Sequence, residues 1–430
     1  MEIIDQLYQQ YQQSHRVTTD SRQITSGCIF FALKGETFDG NAFARQALEQ
    51  GAALCVISNP EYKVDDRCLV VEDVLAVLQQ LAKHHREQLH IPFVGITGTN
   101  GKTTTKNLIA AVLAKKFNVT ATEGNLNNDI GVPLSVLKIT RDTQIAVIEM
   151  GANHPDDIAK LVKVSQPDYG LITNVGKAHL LGFGSFEGVK AAKGELYKWL
   201  GANPGSLIFL NADDPDLRQM AAGQPCHTYE YGIAYQGAEV LTCSPEEPFL
   251  RIRLGKYTIS TKLVGAYNAT NVLAALAIGE YFGVRKNSAI AAIEGFTPTN
   301  NRSQMTRTEA NTLIVDAYNA NPSSMAAALD NFANVESARK VALLGDMREL
   351  GDDSVSEHVK VVEKLTAMGL DAYLVGEEFK KALAATGAGF GWFESSDALA
   401  AHLSDSPLRD AVVLIKGSRG IQMEKVLPVL

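Results

Sequence analysis

Residues 93–113 read FVGITGTNGKTTTKNLIAAVL, and the order of residue types in that stretch decides the fold. Val94, Ile96 and Thr97 make a short β-branched run that predicts a buried strand. A loop follows with Gly98, Thr99, Asn100 and Gly101, and then come Lys102, Thr103 and Thr104. Leu108, Ile109, Val112, Leu113 and Phe117 recur at helical spacing. Strand, glycine loop, Lys-Thr and helix together form a cradle for nucleotide phosphates. Glycines let backbone N–H groups approach phosphate oxygens, and a helix N-terminus adds partial positive charge. In such a loop Lys102 reaches the β- and γ-phosphates and the Thr103 hydroxyl ligates Mg²⁺. The spacing is a variant one: the usual pattern has glycine where this chain has Ile96, and the glycines here are Gly95, Gly98 and Gly101.

A chain of 430 residues predicts about three domains. With 46% hydrophobic and 20% charged residues it has the composition of a globular protein with ample core. A net charge of −8 argues against a nucleic-acid partner, which asks for a basic footprint. The opening MEIIDQLYQQYQQSHR has no basic-then-apolar signal pattern, and no apolar run is long enough to span a bilayer. A cytoplasmic protein without membrane insertion is expected. The five cysteines are scattered, and Cys28, Cys55 and Cys68 fall in apolar strand-like runs, so buried free thiols are expected.

Working outward, residues 1–90 alternate helical and strand-like runs and predict a small α/β unit, with Ser21, Arg22, Asp39 and Gly40 in its loops. Residues 91–297 hold the glycine loop. TEGNLNNDIGVP (122–133) places Asn125, Asn127 and Asn128 in a turn-rich loop. QIAVIEM predicts a strand ending at Glu149, where a carboxylate at the C-terminal end of a parallel strand faces the ligand crevice and is a candidate for Mg²⁺. PDDIAKLVKV predicts a helix with Pro155 in its first turn. YGLITN predicts another strand, with His179 just beyond it on the same rim as a candidate metal or phosphate contact. Lys193 falls on the following helix, where a lysine is ordinarily solvated. FLRIRLGKYTIST predicts a hairpin turning near Gly255, and a long helix starts near Asn268. The central segment is therefore a mostly parallel sheet with an antiparallel addition. FTPTNNRSQ predicts a linker, and residues 298–430 alternate strands and helices as a Rossmann-like doubly wound unit. Asp316, Asp346 and Lys416 fall at its strand ends, on the expected ligand rim. The whole reads as an α/β protein of three domains: a small N-terminal unit, a central phosphate-loop domain and the C-terminal unit. ATP-driven catalysis with several substrates and a nucleotide-controlled switch both fit this plan. The absence of an Asn-Lys-x-Asp base-reading motif favours catalysis.

The ordered strings GTNGKTTTK (98–106), EMGANHPDDI (149–158), TNVGKAHLLGFGS (173–185), AKGELY (192–197) and NADDP (211–215) resemble the Mur ligase family of peptidoglycan synthesis. TEGNLNNDIGVP, DAYNANPSSM (316–325), LGDMRELG (344–351) and KGSRG (416–420) resemble the branch that adds D-alanyl-D-alanine to a UDP-N-acetylmuramoyl tripeptide. That resemblance implies an ATP-dependent, ADP-forming ligase acting through an acyl phosphate as a monomer. It implies that the N-terminal domain holds the UDP-sugar through Ser21, Arg22, Asp39 and Gly40, and that Asn125, Asn127 and Asn128 also face substrate. It implies that two Mg²⁺ ions are held by Thr103, Glu149 and His179, with Lys193 carbamylated to support the second. Asn268, Asn271, Arg302 and Asp316 match positions that meet the nucleotide. Three positions depart from the family's usual residues: Asn41, Tyr267 and Asn301. The sister ligase that adds the third amino acid usually carries an Asp-Asn-Pro-Arg motif, which this chain lacks. A non-catalytic ATP-binding regulator of wall synthesis is the rival of another class.

Overall fold

The computed structural model describes residues 2–242, 248–298 and 302–430; Cys243 and Asn301 lie outside them. The first sheet runs β1 (Val17–Thr18), β2 (Ile29–Phe31), β3 (Leu54–Ile57) and β4 (Cys68–Val70), all parallel and in that spatial order. Cys28, Cys55 and Cys68 are buried free thiols, as expected, and burial pushes the Cys55 thiol up to about 12. The helix Val74–Glu87 begins where the Asp73 carboxylate accepts from Ala76 N, at 3.0 Å. This helix joins the first sheet to the rest. Arg86 donates to the Ser165 carbonyl at 3.0 Å, pairs with Asp168 at 3.1 Å and lies 3.8 Å from the centre of the Phe93 ring. One continuous apolar core contains both Ile29 and Phe31 of the first sheet and Ile148 and Ile172 of the next.

The central sheet has β5 (Phe93–Thr97), β6 (Val119–Ala121), β7 (Ile145–Glu149), β8 (Tyr169–Ile172), β9 (Leu207–Asn211) and β10 (His227–Tyr231). Its order is β10-β9-β8-β5-β7-β6, every pair parallel. β5 and β7 are buried along their whole length because helices cover both faces, which is why they read as continuous apolar runs. The antiparallel addition is a separate three-stranded sheet, β11 (Glu239–Leu241), β12 (Arg251–Leu254) and β13 (Tyr257–Ser260), with Gly255 turning at φ +58°. The helix expected to hold Pro155 in its first turn starts later, at Asp157. Asp156 precedes it at φ +64°, and the Asp157 carboxylate accepts from Asn153 N and His154 N instead.

The C-terminal sheet has β14 (Gln304–Arg307), β15 (Asn311–Asp316), β16 (Lys340–Gly345), β17 (Asp371–Val375), β18 (Gly391–Phe393) and β19 (Ala411–Lys416). Its order is β14-β15-β19-β16-β17-β18, parallel except for the edge strand β14. Its cores are built mostly from its own residues. Among the described residues no helix is long and apolar enough to cross a membrane.

Candidate active site

The loop after β5 is shaped by backbone geometry that only small residues allow. Gly98 sits at φ +139°, where a Cβ would fall 2.1 Å from Thr173 Oγ1. Gly101 sits at φ +78° against the Asn271 side chain and opens the helix Lys102–Leu113. Thr173 and Asn174, just past β8, tie the loop down. Thr173 Oγ1 and Asn174 Nδ2 donate to the Asn100 carbonyl at 2.6 and 3.0 Å, and Asn100 N donates to Asn174 Oδ1. Lys102 Nζ curls back onto the carbonyls of Gly98 and Thr99, at 2.7 and 3.1 Å. Burial pushes its ammonium down to about 8, with Glu149 opposing and Arg302 reinforcing.

Glu149 ends β7 opposite Ile96, so the register brings its carboxylate beneath the loop. Its Oε1 accepts from Thr103 Oγ1 at 3.1 Å and from Asn127 Nδ2 at 2.8 Å. Its Oε2 is buried with no hydrogen bond, 3.8 Å from Lys106 Nζ. Sequence reasoning missed Lys106. The residue follows the Lys-Thr-Thr-Thr run and looks like an ordinary helix lysine, yet it is 2% exposed and also donates to the Thr122 carbonyl.

His179 caps a short helical turn at φ +51°, and its Nδ1 pairs with Glu349 Oε2 from the C-terminal lobe. Lys193 is 2% exposed, and its Nζ donates to the Ala152 carbonyl at 3.0 Å. Burial pushes its amine far below the usual lysine range, and the Lys102 charge adds to that. Asn268 Nδ2 donates to the Val264 carbonyl, and Asn271 Nδ2 to Asn268 Oδ1. The Arg302 guanidinium stacks 3.5 Å over the Tyr318 ring, with its Nε buried and unpartnered. Asp316 and Lys416 are register partners on β15 and β19, and their side chains pair at 2.6 Å. Tyr267 reaches Ser303 Oγ at 3.1 Å.

Most of these groups, though not Thr173, Lys106 or Lys193, line one cleft of about 780 Å³ between the central and C-terminal lobes. Of the sequence-predicted residues, Thr99, Asn100, Gly101, Lys102, Thr103 and Thr104 line it from the loop. Asn125, Asn127, Glu149, His179, Asn268 and Asn271 line it from the rest of the central lobe, and Arg302 and Asp316 from the far side. Gly98 shapes the loop without lining the cleft. Lys193 lies just behind the lining, its amine on Ala152, which does line it. Asn128 is turned elsewhere and accepts from Gly131 N at 2.8 Å. Asp346 was expected on the ligand rim. It points inward instead, accepting from Glu378 N and Phe379 N at the start of the helix Glu377–Thr386.

The first-sheet residues stand apart from this cleft. Arg22 is exposed and forked onto Asp20 at 2.9 and 2.8 Å. Ser21 opens the same short turn. Asp39 Oδ1 accepts from Asn41 N, and the buried Asn41 amide binds the Ser58 backbone N–H at 2.8 Å. Gly40 has no room for a Cβ, which would fall 2.5 Å from the Leu33 carbonyl oxygen. Asn41, the departure noted above, thus knits two loops together.

A parallel α/β sheet with a phosphate-type loop at its crevice, roofed by a second doubly wound sheet, defines a nucleotide-binding protein whose site is shared between lobes. Comparison with known proteins narrows this. Residues 13–86, 96–279 and 301–419 match the Mur ligase family catalytic domain, the Mur ligase middle domain and the Mur ligase glutamate ligase domain. The chain belongs to the Mur ligase family. It is 35% identical over 440 residues to the UDP-N-acetylmuramoyl-tripeptide–D-alanyl-D-alanine ligase of Bacillus subtilis, covering 97% of this chain and 94% of that protein. The crystal structure of MurF from Acinetobacter baumannii superposes with a TM-score of 0.85 at 28% identity, covering 98% and 97% of the two chains. MurF from Thermotoga maritima in complex with ADP superposes at 0.83 with 28% identity, covering 96% of each.

Proposed function

We propose that this protein is the ATP-dependent, ADP-forming ligase that joins D-alanyl-D-alanine to UDP-N-acetylmuramoyl tripeptide in peptidoglycan synthesis. The observation that carries the reading is the placing of Lys102, Thr103 and Glu149 on a cleft whose far wall is another lobe. A reaction with a nucleotide and two further substrates needs such a shared cleft. The units that do this work run 1–90 for the UDP-sugar, 91–297 for ATP and 298–430 for closure. The enzyme acts in the cytoplasm, where ATP and UDP-linked precursors are, and as a monomer.

Phosphoryl transfer needs positioning and charge neutralisation more than a covalent nucleophile. The tripeptide carboxylate attacks the γ-phosphorus, ADP leaves, and an acyl phosphate forms. The free amine of the dipeptide then attacks the acyl carbon, the carbon–oxygen bond to phosphate breaks, and the amine proton is lost. In this reading Lys102 leaves its loop carbonyls for the β- and γ-phosphates. Asn268, Asn271, Arg302 and Asp316 frame the nucleotide, while Asn125 and Asn127 face the joining substrates. Ser21, Arg22, Asp39 and Gly40 serve the UDP-sugar, and Asn128 acts by shaping its loop.

The donor set fits Mg²⁺. The orphaned Glu149 Oε2 and the Thr103 hydroxyl offer hard oxygens for one ion. No group of three or more His, Cys, Asp or Glu gathers among the described residues. That suits a cation held by one or two protein groups plus phosphates. His179 and Lys193 serve the second ion. Burial pushes the Lys193 amine well below the usual lysine range, which favours the neutral form, the one that adds to CO₂ with loss of a proton to give a carbamate anion. When bound, the ions neutralise charge developing on the transferred phosphoryl group.

The test is phosphate release from ATP with each substrate alone and with both. Turnover that requires UDP-muramoyl tripeptide and D-alanyl-D-alanine together is expected. Turnover with the muramoyl dipeptide and a free amino acid would assign the sister reaction, and none at all would leave a nucleotide-binding regulator.

A further inference from the structure

His179 and Glu349 lie 170 residues apart in sequence and on different lobes, yet they meet at the mouth of the cleft. Two features mark the meeting as built. Both residues are non-glycine and left-handed, His179 at φ +51° and Glu349 at φ +66°. Such backbone is strained and persists where the surroundings hold it. The surroundings here are mutual: Leu181 N donates to the Glu349 carbonyl at 3.1 Å, and a Cβ added at Gly351 would fall 3.6 Å from Leu181 Cδ1. The strand β16 and its register partner β19 fix the loop that carries Glu349, since Arg348 N donates to Ser418 Oγ and Ser418 N to the Asp346 carbonyl.

We propose that Glu349 is a positioning residue for His179, so that the C-terminal lobe completes a cation site on the central lobe only when the two are together. The carboxylate takes the Nδ1–H of the imidazole. That fixes the tautomer and the ring plane, and it leaves the Nε2 lone pair for the cation. With the lobes apart the ring loses that partner and keeps its edge contact with Phe183, ring centres 6.4 Å apart. Closure and metal capture are thereby one event, which keeps ATP from being committed before the roof is in place. The inference rests on the reading of His179 as a ligand of the second ion.

The test uses the full-length protein with Mn²⁺ and a non-hydrolysable ATP analogue, and reads nitrogen coupling to Mn²⁺ by pulsed electron paramagnetic resonance alongside the Mn²⁺ dissociation constant. Glu349 is 53% exposed at its side chain, so its variants are expected to fold. Glu349→Ala is expected to lose the imidazole coupling and to weaken Mn²⁺ roughly tenfold or more, the usual effect of removing such a partner. Glu349→Gln still offers an oxygen to Nδ1–H and is expected to keep the coupling, with affinity within about twofold of the unaltered protein. Glu349→Ala retaining both signals overturns the proposal. So does Glu349→Gln failing as badly as alanine, which would make Glu349 itself a ligand. His179→Ala separates the two levels. If it binds Mn²⁺ unchanged, or if the unaltered protein shows no nitrogen coupling, the reading of His179 as a ligand fails and this inference goes with it. If His179→Ala is weakened and Glu349→Ala is not, only this inference fails.

Discussion

Three lysines of one small region have three different fates, and each fate is set by what surrounds the amine. Burial lowers Lys102 to about 8, so its charge is present at neutral pH and is lost as pH rises past that value unless phosphates arrive. Bound phosphates favour the ammonium and raise that value. Below it the site is charged in advance; above it, nucleotide binding must bring a proton. ATP affinity is therefore expected to fall as pH rises past about 8, with proton uptake on binding. Calorimetric heats at about pH 8.5 should scale with buffer ionisation enthalpy, and buffer-independent heats would rule this out. Lys193 is pushed well below the usual lysine range by burial, with the Lys102 charge adding to it. Lys193→Ala is expected to lower turnover on the order of a hundredfold, with partial recovery in acetate, because a carboxylate replaces the carbamate's charge. Unchanged turnover would sink the carbamate. Lys106 keeps a buried ion pair with Glu149. Lys106→Met strands that carboxylate and should cost about 3 kcal/mol in urea unfolding with EDTA present. The loss should shrink with Mg²⁺ and ADP, which supply the missing charge; an equal loss in both conditions would contradict the pairing.

The phosphate loop is the element on which the rest is hung, and its glycines were legible because chemistry restricts them. Gly98→Ala must move either the loop or Thr173, whose hydroxyl holds the Asn100 carbonyl. ADP binding is expected to weaken roughly tenfold or more, with circular dichroism unchanged. Affinity within about twofold of the parent would show that the loop tolerates the side chain. The strands that could be read from sequence share a property with this loop: β5, β7 and β9 are buried along their whole length, so each is a continuous apolar run. Those that could not are the sheet edges. β6 and β10 flank the central sheet, and β14 and β18 flank the C-terminal one. Their residues are partly or wholly exposed, apart from Tyr231, so VTA, HTYEY, QMTR and GWF carry no periodic signal. Asp346 was misplaced for a related reason. A carboxylate at a strand end looks the same in sequence whether it faces a ligand or caps the next helix.

At the scale of the molecule the lobes are joined unequally. The first two share a core, and Tyr11 and His85 reach the Leu137 and Ile139 carbonyls at 2.7 and 2.9 Å. The third is held across the cleft by polar contacts: Asn321 on Asn100 at 2.8 Å, Lys177 on Glu357 at 3.0 Å, and Glu349 on His179. No local pattern foretells such contacts, since the partners lie 170 to 221 residues apart. The parts of the site carried by strand ends, Asp316 and Lys416 of the roof among them, were therefore legible, and the contacts that hold the roof down were not. A polar interface of this kind favours motion between lobes. Lys177 is half exposed, while Glu357 is buried and keeps Lys360 as a second partner. Losing Lys177 therefore leaves no stranded charge and is worth only about 0.2–1 kcal/mol. That is too little to unfold anything and enough to shift a closure equilibrium severalfold. Lys177→Ala should leave the melting temperature unchanged, enlarge the radius of gyration seen by X-ray scattering without nucleotide, and raise the KM for the dipeptide more than that for ATP. Scattering identical to the parent would mean that closure rests on the shared nucleotide alone.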